Sequence, residues 1–106
     1  MAVSTERRKH ARFDVPCRVR VERPDGAEVR SRTLNVSDGG ALFSASPPLE
    51  IGESVHVRLA VPRETANTFF LEQFAVRARV VRHVPGVAEG TGVAIQFERA
   101  LALGLP

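Results

Sequence analysis

Tryptophan and tyrosine are absent from this 106-residue chain, and cysteine and methionine occur once each. A single cysteine cannot close an intramolecular disulfide, and Cys17 has no partner at metal-ligand spacing, so neither a disulfide frame nor a zinc cluster holds this fold together. Cys17 falls on the apolar phase of an alternating segment and reads as a buried, inert thiol. The three histidines, His10, His56 and His83, are scattered, and no serine sits in a nucleophile-elbow context, so neither a metal site nor an enzyme is expected. Long apolar runs are missing too: nothing approaches the roughly 20 residues of a spanning helix. The polar, basic start from Met1 to Lys9 lacks the layout of a secretion signal, which leaves a cytoplasmic location and no membrane insertion as the expectation.

What the chain does have is ordinary for one globular domain: 43% apolar and 25% charged residues, at a length that buries about two-thirds of the unfolded surface. The formal net charge is +3, with Arg7, Arg8, Lys9 and Arg12 gathered at one end, where they would attract an anion. From Phe13 to Val21 apolar and polar residues alternate with a period of two, the mark of a half-buried strand. The turn Pro24-Asp25-Gly26 leads to a second strand over 27–35, and Asp38-Gly39-Gly40 separates that from a short strand over 41–45. Residues 54–61 alternate again until Pro62, residues 63–68 read as a loop, and a fifth strand begins at Phe74, with a phase break at Val81 that predicts a bulge. His56 reads as a surface histidine on the fourth strand, and His83 as a loop residue. Residues 93–97 form a last strand, and the Ala and Leu content of 98–105 predicts a short C-terminal helix. Six short strands joined by Gly and Pro turns define an all-β domain, an antiparallel sandwich or barrel, over 13–106, preceded by a basic arm over 1–12.

Two short patterns carry chemistry. Arg8-Lys9-His10-Ala11-Arg12 reads R-x-x-x-R beside the first strand, so both guanidinium groups can fold back on one end of the domain and pair bidentately with phosphate or a guanine edge. Asn35-Val36-Ser37-Asp38-Gly39-Gly40 reads N-x-S-x-x-G; Asn35 and Ser37 are two apart on a strand and share a face, and Gly40 permits close approach. Each pattern alone has a plainer account, a solvated tail and an ordinary turn. The Asn-Val-Ser sequon is set aside for want of a secretion signal.

Together, in this order and separation, the patterns resemble those of the PilZ domain, a bacterial receptor family for cyclic di-GMP, over most of the chain. Residues 90–97 are similar to that family's closing strand. The resemblance implies a six-stranded antiparallel β-barrel in which Arg8 and Arg12 clamp ligand phosphate and guanine while Asn35, Ser37 and Gly40 line the barrel-side surface. Asn35 stands where many relatives have Asp, exchanging a pure acceptor for a donor and acceptor. In proteins that this chain resembles, an arginine at the position of Arg7, immediately ahead of the pair, accompanies capture of two intercalated cyclic di-GMP molecules, and of Arg77, Arg79 and Arg82 the last is the best candidate for an outlying ligand contact. The ligand that the resemblance implies is cyclic di-GMP, and no cofactor is expected.

The reading is a noncatalytic second-messenger receptor whose arm is mobile when free and ordered by ligand, changing the surface offered to an unidentified downstream protein. The alternative is a small basic β-barrel for single-stranded nucleic acid, supported by pI ≈ 10.4. Stacking aromatics are scarce and most phenylalanines sit in apolar phases, which disfavours nucleic acid. A degenerate PilZ-like adaptor without ligand is a third reading, opposed by the intact arginines and N-x-S-x-x-G.

Overall fold

The computed structural model describes residues 16–87 and 90–105. Arg7, Arg8 and Arg12, and the boundary between arm and domain, lie outside the described residues.

Six strands follow one another along the chain: β1 Arg18–Glu22, β2 Glu28–Ser37, β3 Gly40–Ala45, β4 Ser54–Glu64, β5 Phe69–Val84 and β6 Thr91–Phe97. They close into a barrel in the order β1-β2-β3-β6-β5-β4, every neighbouring pair antiparallel. Closure follows from the period-two pattern: each strand turns one apolar face inward, and wrapping the sheet on itself buries those faces and removes its edges. Val19 and Val21 of β1, Val36 of β2, Phe43 of β3, Val55, Val57 and Leu59 of β4, Val80 of β5 and Val93 of β6 are all fully or almost fully buried. Cys17 joins them, and burial pushes its thiol pKa up, so it is the inert core residue that its phase predicts. Thr33, the buried polar residue of the core, receives a hydrogen bond on its hydroxyl from the Cys17 N–H at 2.9 Å.

The first hairpin turns as its sequence predicts. Gly26 takes φ of 87°, Arg23 N–H donates to the Ala27 carbonyl, and the Asp25 carboxylate accepts from Ala27 N–H at 2.9 Å. The β4–β5 hairpin departs from expectation. Pro62 does not stop β4, which runs on to Glu64, and β5 starts five residues earlier than Phe74, at Phe69, so the turn shrinks to 65–68. Among the described residues, pairing of β4 with β1 ends at Ala60, and beyond it β4 pairs with β5 alone, where a strand accommodates proline. His83 lies on β5 rather than in a loop, with its ring Nε2 2.6 Å from the Leu49 carbonyl; His56 is exposed on β4 as expected.

The expected C-terminal helix over 98–105 is not formed. Leu101 and Leu103 are buried while Ala102 and Gly104 are exposed, an alternation of two that a helix cannot present to a flat surface. Gly104 has φ of 66°, outside helical geometry. The tail is strapped instead: Leu101 N–H donates to the Asp38 carbonyl at 2.8 Å, Leu103 N–H to the Asp38 Oδ1 at 3.1 Å, and the Arg63 guanidinium to the Leu103 carbonyl. Burial of two leucines outweighs a helix propensity of a few tenths of a kcal/mol per residue.

Candidate functional site

Two β-bulges build the site. In β2 the inward residues are Val29, Ser31 and Thr33, so a regular strand would also turn Asn35 inward. The register shifts between Thr33 and Asn35, Leu34 is bulged out, and Asn35 and Ser37 then share the outward phase with Val36 inward and fully buried. The second shift, foreseen from the phase break, falls between Val80 and Arg82 of β5 and turns Arg82 outward. Between these strands lie β3 and β6, with Leu42 opposite Ala94 and Gly40 opposite Gln96.

The result is a shallow cavity of about 530 Å³ on the side of the barrel that gathers Asn35, Ser37, Gly40 and Arg82, four of the seven residues singled out from sequence. Leu42, Val81 and Ala94 give it an apolar floor, and Gln96, Glu98 and Arg99 a polar rim. Its volume is that of a small-molecule site, and its lining pairs apolar surface with a few convergent donors and acceptors. The remaining three, Arg7, Arg8 and Arg12, fall in the undescribed arm.

Each member of N-x-S-x-x-G also has a place in the fold. The Ser37 hydroxyl accepts from Gly39 N–H at 3.2 Å, holding the β2–β3 turn. Asp38, an x position, fastens the tail through both its carbonyl and its carboxylate. Gly39 accepts from Phe97 N–H at 2.9 Å. A Cβ on Gly40 would stand 2.3 Å from the Ile95 carbonyl oxygen, so glycine here serves the close approach of β3 and β6. Asn35 makes no side-chain hydrogen bond among the described residues, which leaves its amide available at the cavity. The Asp38 latch was not legible in sequence, because its partners are 63 and 65 residues further along the chain.

Elsewhere, Arg23 Nε and Nη2 donate to the two Glu53 carboxylate oxygens at 2.7 and 2.8 Å, tying the first hairpin to the start of β4. The Arg23 hydrogen bonds hold the Glu53 carboxyl below its ordinary pKa. Among the described residues no group of three His, Cys, Asp or Glu side chains could hold a metal ion, and no helix is long and apolar enough to cross a membrane.

A closed six-stranded barrel with a bulge-framed cavity on its flank is the architecture of a small ligand-binding barrel. A family model for the PilZ domain matches residues 6–103, and the chain belongs to that family of cyclic di-GMP receptors. Solved structures agree on the fold. The inhibitor of motility MotI/DgrA from Bacillus subtilis is 22% identical with a TM-score of 0.74 over 92% of this chain, which spans only 45% of that protein. The PilZ domain of Escherichia coli YcgR, solved with c-di-GMP, is 17% identical with a TM-score of 0.54, covering 88% of this chain and 79% of that one. The PilZ domain of CeSA from a cellulose-synthesizing bacterium is 24% identical with a TM-score of 0.52, covering 81% and 79%. No curated protein matches the sequence.

Proposed function

We propose that this chain is a noncatalytic cyclic di-GMP receptor in which Arg8 and Arg12 clamp ligand phosphate and guanine over a cavity lined by Asn35, Ser37, Gly40 and Arg82. The observation that carries this reading is the convergence of Asn35, Ser37, Gly40 and Arg82, from three strands, on one outward cavity through two separate bulges. Asn35 and Ser37 supply donors and acceptors for a base edge or phosphate, Leu42 and Ala94 an apolar seat for a purine face, and Arg82 a planar cation at the far rim. The arm, with few apolar anchors of its own, gains order from the bound ligand, and the ordered arm is the surface that a downstream protein reads.

Titration calorimetry tests this directly with cyclic di-GMP, using GTP and a single-stranded oligonucleotide as comparators. Binding of cyclic di-GMP at least tenfold more tightly than GTP, at a site for which the oligonucleotide does not compete, is the expected result. Equal affinity for GTP would reduce the cavity to a general purine-phosphate surface, and no heat with cyclic di-GMP would end the receptor reading.

A further inference from the structure

A second basic surface lies around the barrel from the cavity. On the outward faces of β2, β1 and β4, Arg18 sits directly opposite Arg32, Arg20 opposite Arg30, and Arg58 opposite Arg20 on the other side. These five arginines and Leu71 line a groove of about 600 Å³. Like charges set directly opposite one another destabilise a sheet unless something neutralises them. Glu28 engages Arg30 at 2.9 Å and Arg20 at 3.9 Å. Arg18, Arg32 and Arg58 have no carboxylate partner among the described residues, so the groove keeps an unmet demand for anions.

We propose that this groove binds the phosphodiester backbone of a single-stranded nucleic acid. Every cation in it is arginine, whose planar fork pairs bidentately with phosphate and whose face stacks on bases. Arg18 to Arg20 and Arg30 to Arg32 are two-residue steps of about 6.7 Å along parallel tracks, on the scale of the step between neighbouring phosphates in an extended strand. The groove is concave, which suits a strand and not a lipid surface. An acidic peptide would meet the charge but leave the stacking faces unused. The scarcity of aromatics, which disfavours nucleic acid when the sequence is read alone, is partly answered by the early start of β5. Phe69, 67% exposed, and Leu71, 37% exposed, continue the outward row beside the groove, with Glu64 opposite Phe69.

Fluorescence anisotropy of a labelled mixed-sequence DNA strand of about 12 nucleotides, titrated with the full chain at several salt concentrations, tests the assignment. The Arg18→Ala/Arg32→Ala/Arg58→Ala variant should bind at least ~10-fold more weakly, with the log-log salt slope shallower by about 2, since each single-strand phosphate contact contributes about 0.7. Arg8→Ala/Arg12→Ala should retain that groove-dependent slope. A groove variant that binds like the wild type, with the arm variant losing the binding instead, would overturn the proposal. So would polyglutamate competing as well as unlabelled DNA, or anionic phosphatidylglycerol vesicles binding the chain when the oligonucleotide does not. Should the triple variant melt lower than the wild type, Arg32→Glu alone gives the same reading: a loss of at least ~5-fold supports the groove and unchanged affinity refutes it.

Discussion

Ser37 holds two positions at once: its hydroxyl fastens the β2–β3 turn through Gly39 N–H and also lines the cavity. Ser37→Ala should therefore lower stability by about 1 kcal/mol, the worth of one partly buried hydrogen bond, and weaken cyclic di-GMP binding as well. Paired thermal melts and titrations check both; a lower melting temperature with unchanged affinity would leave Ser37 a turn residue only. Gly40→Val is different in kind, because its Cβ would meet the backbone of Ile95 and not a movable side chain. It should cost roughly 1–3 kcal/mol or more, with loss of binding following loss of fold in urea melts. On the arm, Arg8→Ala or Arg12→Ala should each weaken cyclic di-GMP binding by at least ~2 kcal/mol with the melt unchanged, and wild-type affinity in both would sink the clamp. Glu53 makes stability depend on pH. Its carboxyl is lowered in the fold by Arg23, so its contribution is complete above its ordinary value of 4.5 and fades as pH falls through the lowered folded value. Melts of Glu53→Gln should lie below wild type at neutral pH and converge with it in acid.

At the scale of elements, alternation made β1, β4 and β5 legible, because a half-buried strand writes its inward face at every second residue, and β-forming or apolar runs bounded by Gly and Pro turns marked the other three. Where the alternation broke at Val81 the bulge was legible as well. The bulge in β2 was not, since Thr33-Leu34-Asn35 reads as a continuing strand and only the buried Thr33 and Val36 reveal the shift. The shared face of Asn35 and Ser37 followed from their spacing, while the kink that turns that face outward stayed hidden. The tail shows the opposite failure. Ala and Leu content spoke for a helix, but the contacts that decide its form are long-range, from Asp38 and Arg63, and local propensity carries no trace of them. If the strap rests on burial, Leu103→Ala, at a fully buried site, should cost about 2–5 kcal/mol in denaturant unfolding. A solvated helical tail would lose less than ~0.5 kcal/mol.

For the molecule as a whole, the arrangement separates two outward surfaces that share β2 and opposite ends of β5: the cavity on β2, β3, β6 and the later part of β5, and the arginine groove on β2, β1, β4 and the early part of β5. The arm leads into the first of these strands. With Arg7 ahead of the R-x-x-x-R pair, calorimetry should give about two cyclic di-GMP per chain, falling toward one in Arg7→Leu, because two stacked ligands bring four phosphates and more guanine faces for a third guanidinium to cover. A ratio of one in both proteins would remove Arg7 from the site. Amide exchange should show the segment before Phe13 unprotected in the free chain and protected with ligand; protection in both states would contradict arm ordering. The barrel's closure has a consequence of its own. β1 is only five residues long, yet it alone bridges β2 and β4. Peeled away, it would leave a curled five-stranded sheet with two raw borders, each lined with free N–H and C=O groups and each shaped to take the same strand from another molecule. The shortest strand is therefore the clasp of the cylinder, and the point where two chains would begin to trade parts.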